Sequence, residues 1–364
     1  MKITCTKECL MEGINIVQKA VSTRTSVPVL EGILLTANDR FKMTGYDMEM
    51  GIEAYVDAEI KEPGCIVVNS KMFGEIVKKL FDDVTIEVKA DLKVIITSGS
   101  CKLEIKGLAA EQYPAFPEIE ESANFEVDQK IIKSMIRQTT FAASVDEGRP
   151  VLTGICVECN NSELTFVAID GFRMALRQNK IDFNEQIKAI IPAKTLNDIG
   201  KILTEQGKVT IFIEKSKIMF EVDNCKVISR LLEGEYLKYG SIVPKDYEIT
   251  LSVNTKEMMQ SLERASLICA SDSKKIPVTF KIGVDDINIT AQAEAGTANE
   301  KVKAEIISGN SMEICFNPKY LLDALKAIED EIVYFCFSSN IGPCTIVPLQ
   351  GDGYIYLVLP VKAG

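Results

Sequence analysis

The feature of this chain that most constrains its fold is an internal repeat. A lysine near the start of an apolar-periodic helix, then a polar loop, then a β-rich run recur three times in the same order. The three lysines are Lys71, Lys194 and Lys319, so the copies are roughly 120 residues apart. This period is too long for a solenoid unit and close to the size of a domain, so the sequence predicts three copies of one domain.

A second marker of the repeat is a leucine followed five positions later by a tyrosine. We expect it to fall at equivalent places in the three copies, at Leu108 and Tyr113, Leu231 and Tyr236, and Leu349 and Tyr354. A proline-bearing acidic stretch, 115–122, is typical of a linker and marks a boundary. The predicted domains are therefore 1–122, 123–246 and 247–364.

Each copy has the pattern helix, strands, helix, strands, which predicts an α+β domain with about two helices and a larger sheet portion. Apolar residues recur at helical spacing in six windows, and the segments between them alternate as half-buried strands do. The six predicted helical windows are 7–20, 70–82, 127–141, 194–204, 255–267 and 318–330.

Composition excludes several classes of protein. The chain is 46% hydrophobic and 26% charged, which is ordinary for a globular protein. No apolar run approaches the ~18 residues of a membrane span, and the first residues have no apolar signal core. We therefore expect a cytoplasmic protein with no membrane partner. The eleven cysteines are scattered, and several lie in apolar runs, which favours buried, reduced thiols.

The chain contains no histidine. This removes the Ser-His-Asp and Cys-His pairs used in nucleophilic catalysis, together with the commonest metal ligand. Cys156 and Cys159 have the spacing of a redox or zinc pair, but they lie in an apparent strand without a second pair, so core cysteines are the better interpretation. Asp170 precedes Gly171 and has no partner acid or base, which favours a turn. We expect no catalytic residue, metal or cofactor.

Charge is distributed unevenly along the chain. The formal net charge is −11, which argues against a generally basic nucleic-acid binder. The six helical windows nevertheless hold slightly more basic than acidic residues, while the rest is strongly acidic. Two interpretations stay open: the helices have ordinary solvated faces, or all six share one surface that meets phosphates.

Four segments together resemble one family. They are 170–175 (DGFRMA), 22–30 with Arg24 and Pro28, 108–114, and the Leu359-Pro360 ending. In their order, in chain length and in the threefold repeat, they resemble the bacterial replicative sliding clamp, the beta subunit of DNA polymerase III. The resemblance covers the whole chain.

The resemblance implies three tandem clamp domains, and two protomers that close head-to-tail into a ring with helices inside and sheets outside. Such a ring holds double-stranded DNA without reading its sequence. By position, the residues that would face DNA are Arg24, Arg149, Lys71, Lys78, Lys79, Lys130, Lys133, Arg137, Lys194, Lys201 and Lys319. The dimer interface would use Leu103 and Ile105 on one side and Leu267 and Ile268 on the other.

The resemblance also implies a cleft for short peptide motifs of the DNA polymerase III alpha subunit, the clamp loader and repair polymerases, of a type that carries a glutamine and a leucine–phenylalanine pair. The matching positions are Leu152, Ile169, Gly171, Phe172, Arg173, Met174, Pro244, Leu357, Leu359, Pro360 and Val361. Ile169 replaces a usual threonine, Lys362 a usual arginine, and the 363–364 tail is unusual, which bears on partner preference. The competing hypotheses are an enzyme that uses the Asp170 loop and a clamp-like paralogue without a role in replication.

Overall fold

The helices of the chain were located in a computed structural model that describes residues 1–23, 25–119, 123–270, 276–351 and 353–362. Within these residues the helices are α1 (Lys7–Val17), α2 (Ser70–Lys79), α3 (Gln129–Arg137), α4 (Ala193–Gly200), α5 (Thr255–Ala270) and α6 (Pro318–Ala327). Each falls in one of the six predicted windows, two to a copy, so the helix predictions are confirmed to within a few residues at each end.

The strands also repeat by copy. The first copy contains β1 (Lys2–Cys5), β2 (Gly32–Ala37), β3 (Phe41–Tyr46), β4 (Met50–Val56), β5 (Glu59–Glu62), β6 (Gly64–Asn69), β7 (Val84–Val88), β8 (Lys93–Ser98) and β9 (Cys101–Lys106). The second contains β10 (Ala123–Asp128), β11 (Gly154–Asn160), β12 (Glu163–Ile169), β13 (Arg173–Lys180), β14 (Ile187–Pro192), β15 (Lys208–Ile213), β16 (Lys217–Val222) and β17 (Cys225–Arg230). The third contains β18 (Ile249–Asn254), β19 (Val278–Ile282), β20 (Asp286–Ala293), β21 (Gly296–Ser308), β22 (Met312–Phe316), β23 (Ile332–Phe337), β24 (Cys344–Pro348) and β25 (Tyr354–Val358).

Asparagines set where several of these helices begin. The side chain of Asn69 accepts a hydrogen bond from the Met72 N–H, and that of Asn317 accepts one from the Lys319 N–H. Such N-caps satisfy backbone donors that have no partner inside the helix. The two asparagines occupy the same place in the first and third copies. In all three copies the marker lysine, Lys71, Lys194 or Lys319, is the second residue of a helix, which confirms this marker of the repeat.

Every copy builds two antiparallel sheets with the same strand order. One, here called the meander sheet, has the order β6-β2-β3-β4, repeated as β14-β11-β12-β13 and β22-β19-β20-β21. The other, the closing sheet, has the order β1-β7-β8-β9, repeated as β10-β15-β16-β17 and β18-β23-β24-β25. The three-copy α+β architecture predicted from the sequence is therefore confirmed.

Consecutive copies are joined strand to strand. At what we call the first junction, β4 pairs with β17, with Met50 opposite Ser229. At the second junction, β13 pairs with β25, with Arg173 opposite Val358. In both, the last strand of a meander sheet pairs with the last strand of the next copy. Consequently the chain packs as two compact units, 1–130 with 201–231 and 131–200 with 232–364, and each contains one junction.

The leucine–tyrosine marker is wrong at Leu231 and at both residues of its third pair, Leu349 and Tyr354. The Leu108 N–H donates to the Val67 carbonyl, and the equivalent bond of the second copy comes from Leu232, not Leu231, to the Ile190 carbonyl. Leu349 precedes β25, whereas Leu108 follows β9. The spacing misleads because the loop before the tyrosine is one residue shorter in the second copy, and in the third copy Tyr354 begins β25 instead of following it.

Cys156 and Cys159 both lie in β11 and are buried, as the core interpretation predicts. Burial raises the pKa of the Cys156 thiol to about 12, so it stays protonated at neutral pH. Across the described ranges, no group of three or more Cys, Asp or Glu side chains could hold a metal ion. Nor does any helix of those ranges have the length and apolar character needed to cross a membrane.

Candidate functional site

The Asp170 loop is a turn capped by its own carboxylate. Asp170 Oδ1 accepts hydrogen bonds from the N–H groups of Phe172, at 2.9 Å, and Arg173, at 3.0 Å. Gly171 has φ +92°, a left-handed conformation that glycine adopts without a steric penalty. The turn predicted here is confirmed, and both oxygens of the carboxylate are engaged, since Oδ2 accepts from the Arg173 side chain.

Arg173 holds this loop against the third copy. Its Nε lies 3.0 Å from Asp170 Oδ2, and its Nη1 lies 2.6 Å from Asp323 Oδ2 in α6. The guanidinium also lies over the ring of Tyr320, 4.7 Å from the centroid. Only 9% of the Arg173 side chain is exposed. A planar guanidinium satisfied by two carboxylates positions the loop and has few donors left for a ligand.

The end of the chain docks beside this turn. β25 pairs with β13, and past the end of β25 the Leu359 N–H donates to the Phe172 carbonyl at 2.9 Å. The Val361 N–H donates to the Cys315 carbonyl at 2.9 Å. Val361 thus repeats the bond that Leu108 and Leu232 make in the other copies. These two bonds fix the apolar stretch 359–361 next to Phe172.

The matched cleft residues fall into a buried floor and an exposed rim. Leu152, Ile169, Met174 and Leu357 are buried together in one apolar cluster around Tyr236. On the rim, Phe172 is 58% exposed, Leu359 37% and Val361 36%. Gly171 is also exposed, and Pro244 and Pro360 are half-buried. The structure thus brings two stretches that are far apart in sequence to one apolar surface, here called the second-junction groove.

Tyr320 is a feature of this surface that the sequence did not indicate. Its ring stacks on Phe172, with centroids 6.2 Å apart and planes 19° apart. Together with Asp323, Lys319 and the Asp170 turn, it lines a cavity of about 940 Å³. Tyr320 directly follows the marker lysine Lys319, and this position was the sequence feature that could have pointed to Tyr320. Its pairing with Phe172 could not be predicted because the second junction brings the two residues together.

The residues matched to DNA-facing positions lie mostly at exposed places on helices. Lys71, Lys194 and Lys319 lie in the first turns of α2, α4 and α6, and Lys78 and Lys79 end α2. Exposed side chains among the described positions are those of Lys71, Lys78, Lys79, Lys130, Arg137, Arg149, Lys194, Lys201 and Lys319, while Lys133 is half-buried. Arg137 forms an ion pair with Glu329. Arg24 lies outside the described residues, as do positions 363–364.

The residues matched to a dimer interface lie on an edge strand of one unit and on a helix of the other. Leu103 and Ile105 belong to β9, which is an edge strand of its sheet. Leu103 is 37% exposed and Ile105 is buried. In the other unit, Leu267 of α5 is 71% exposed and Ile268 is half-buried.

Comparison with known proteins covers the whole chain. Family models of the DNA polymerase III beta subunit match it as an N-terminal domain at 1–117, a central domain at 126–238 and a C-terminal domain at 240–362. The chain is 37% identical to the beta sliding clamp of Bacillus subtilis over an alignment of 376 positions, gaps included, that covers 100% of both chains. It is 34% identical to the beta sliding clamp of Staphylococcus aureus, over 100% of this chain and 99% of that one.

Solved structures give the same result. The DNA polymerase sliding clamp of Bacillus subtilis has a TM-score of 0.95 at 36% identity and covers 100% of this chain and 99% of its own. The DNA polymerase III beta subunit of Thermotoga maritima has a TM-score of 0.93 at 28% identity, with full coverage of both chains. Three tandem copies with sheets continued from copy to copy define a DNA clamp. The chain belongs to the DNA polymerase III beta subunit family, and its function is that of a sliding clamp.

Proposed function

We propose that two protomers close head-to-tail into a ring around duplex DNA, each with domains 1–122, 123–246 and 247–364. The observation that carries this proposal is a pair of strands that each lack one neighbour. The last strand of the third meander sheet, β21, pairs only with β20 over residues 296–303, within the described part of the chain. The last strand of the first copy, β9, pairs only with β8 there. A third junction between two chains would join β21 to β9 as the internal junctions are joined.

The two internal junctions predict the register of this third one. Met50 lies opposite Ser229 at the first junction, and Arg173 lies opposite Val358 at the second. Carried through the equivalent strands, these pairs place Gly296 opposite Ile105 of the partner protomer. Unpaired edges of this kind are templates for pairing with another chain. A heterologous contact whose rotation closes produces a ring.

The same symmetry accounts for the exposed leucines. At the second junction, Phe141 and Tyr356 make an edge-to-face contact, with ring centroids 5.6 Å apart. Leu267 is the counterpart of Phe141, because each lies twelve positions past the first residue of a helix, α5 or α3 respectively. Leu103 is the counterpart of Tyr356, because each is the third residue of its strand, β9 or β25. In the proposed dimer, Leu267 of one protomer therefore packs on Leu103 of the other and removes both from water.

Loose phosphate contacts from the helices suit a ring that slides. Lys71, Lys194 and Lys319 lie in the first turns of their helices, where the helix dipole disfavours a positive side chain. The same exposed lysine in three copies is explained if each meets a phosphate, an anion that helix N-termini attract. Backbone contacts of this kind carry no sequence information. We also propose that the protein acts in the cytoplasm.

The second-junction groove is the proposed site for peptide partners, among them the polymerase alpha subunit, the clamp loader and repair polymerases. Beneath it, Leu152, Met174 and Leu357 form a buried apolar cluster, and Phe172 and Leu359 provide an exposed rim. Apolar anchors of a short peptide would be buried there. We propose no catalysis, since the Asp170 carboxylate is used within its own turn and by Arg173.

The test of ring function is retention on DNA of different topology. Loaded protein should stay on a nicked circular plasmid at high salt and leave once the plasmid is cut, by running off the ends. A phosphate-binding protein that does not encircle DNA would be retained equally on both forms and lost steeply with salt. Equal retention would contradict the proposal.

The test of the groove is fluorescence anisotropy of a labelled peptide that carries a glutamine and a leucine–phenylalanine pair. Removing residues 359–364 should abolish binding and leave the dimer intact, because the proposed dimer residues lie elsewhere. A truncated dimer that binds as tightly as the intact protein would move the groove to another surface.

A further inference from the structure

The first junction contains the counterpart of the second-junction groove. Tyr113 and Tyr236 follow β9 and β17, and each donates its hydroxyl to an equivalent carbonyl, Thr44 at 3.2 Å and Val167 at 3.2 Å. Tyr113 is buried with Leu30 and Val67, as Tyr236 is buried with Leu152 and Ile190. The same apolar cluster is therefore built twice, once under each junction.

The turn beside the groove is also built twice. Asp47 accepts from the N–H groups of Glu49 and Met50, as Asp170 does from Phe172 and Arg173. The Arg230 N–H donates to the Glu49 carbonyl at 3.0 Å, which is the counterpart of the bond between Leu359 and Phe172. Each residue of the second junction can therefore be matched to its counterpart at the first junction.

The floor of the first junction is occupied by the chain itself. Gly51 lies where the second junction has Met174, and a methyl group built on Gly51 would lie 2.7 Å from Cε2 of Phe116. Phe116 belongs to the stretch that links the first two copies, and its ring lies 6.4 Å from that of Tyr46. Glycine inside a strand marks a close approach of another group, and here that group is Phe116.

The rim of the first junction is charged instead of apolar. Glu49 and Arg230 occupy the places of Phe172 and Leu359, and their charged groups are 3.7 Å apart. The linker is tied down on both sides of Phe116, by the Tyr113 hydroxyl and by the Lys217 side chain, which donates to the Glu118 carbonyl at 3.1 Å. An apolar peptide thus meets a filled floor and a charged rim at this junction.

We infer that Phe116 acts as a built-in occupant of the first-junction groove, so that each protomer has one open groove for partner peptides. The inference rests on the proposed peptide groove at the second junction. Phe116 lies against Gly51, the counterpart of the floor residue Met174, so it covers the surface that a peptide's apolar anchor would contact, and it is held there by the linker. A linker that is part of the chain is present at a high effective concentration, so a free peptide does not displace it.

The test is the number of labelled peptides bound per protomer, titrated well above the dissociation constant. The intact chain should bind one peptide and Phe116→Ala two. Phe183→Ala, which also removes a half-buried phenylalanine but lies outside both junctions, should still bind one. In a chain whose second groove is removed by deleting residues 359–364, binding should be absent and return when Phe116→Ala is added.

The outcomes separate the two proposals. If the intact chain binds no peptide, the proposed groove is wrong; if the intact chain and a folded Phe116→Ala variant both bind one, the inference is wrong. Should Phe116→Ala fail to fold, Phe116→Trp provides a direct readout, because the chain has no tryptophan. Blue-shifted emission protected from acrylamide is expected, and emission of a solvent-exposed indole would overturn the inference.

Discussion

Removing Leu267 and Ile268 should open the ring. Leu267 is 71% exposed in the protomer and would be covered by the partner. Leu267→Ala removes three carbon atoms at about 0.8 kcal/mol per buried methylene, so each interface loses about 2 kcal/mol when scaled by this exposure. A ring has two such interfaces, which makes the loss about 3–4 kcal/mol, or roughly two to three orders of magnitude in the dissociation constant. Ile268→Ala, at a half-buried position, adds less.

The assay is sedimentation velocity of the double variant over a dilution series, compared with the intact chain. The matched control is Ile341→Ala, which removes a side chain that is 83% exposed and lies between β23 and β24, away from the proposed contact. The double variant should dissociate at concentrations where the control stays dimeric. If its dimer is as tight as that of the control, Leu267 does not lie in the interface.

Three further results are expected. A thiol reagent should label Cys65 at all concentrations but Cys101 only when the dimer is diluted apart, because both are exposed in the protomer and only Cys101 lies on β9; equal labelling of the two in the dimer would contradict this. Tyr236→Phe removes the buried hydrogen bond to the Val167 carbonyl and should lower the free energy of unfolding by about 1 kcal/mol in urea denaturation; an unchanged midpoint would show that the bond contributes nothing. Phe172→Ala should weaken peptide binding by about 1–2 kcal/mol in anisotropy without changing the dimer, if a bound peptide covers this aromatic side chain, which is 58% exposed in the free protein; binding as tight as that of the intact chain would exclude Phe172 from the site.

The repeat and the helices could be predicted from the sequence because they rest on local patterns. A marker lysine at the second residue of α2, α4 and α6 and apolar periodicity within each window are readable without knowing any contact. The Asp170 turn was predictable for the same reason, since Asp-Gly chemistry acts over a few residues.

The groove and the junctions depend on contacts that no local pattern contains. Phe172 meets Tyr320 and Leu359 only because β13 pairs with β25, and the register of that pair is set over the whole sheet. The leucine marker failed at Leu231 because a one-residue change in loop length is invisible in a fixed spacing, and at Leu349 because this residue precedes the last strand of its copy instead of following it. Neither Gly51 nor Phe116 indicates from the sequence that the two residues are in contact. Their role was recognised by comparing the two junctions in the structure.

The central claim is that two chains join through a third copy of the internal junction, and a single substitution tests it. The register places native Cys101 opposite Glu300 of the partner, as Cys225 lies opposite Ala54 and Tyr354 opposite Arg177. Directly opposed residues have Cα atoms about 4.5–5.5 Å apart, within the range of a disulfide.

Glu300→Cys should therefore give a covalent dimer under mild oxidation, seen on a non-reducing gel. Adding Cys101→Ser should abolish the cross-link, and Lys301→Cys should not form it, because its side chain points to the other face of the sheet. A Glu300→Cys protein that stays monomeric on the gel, or cross-links no better than Lys301→Cys, would contradict this mode of ring closure.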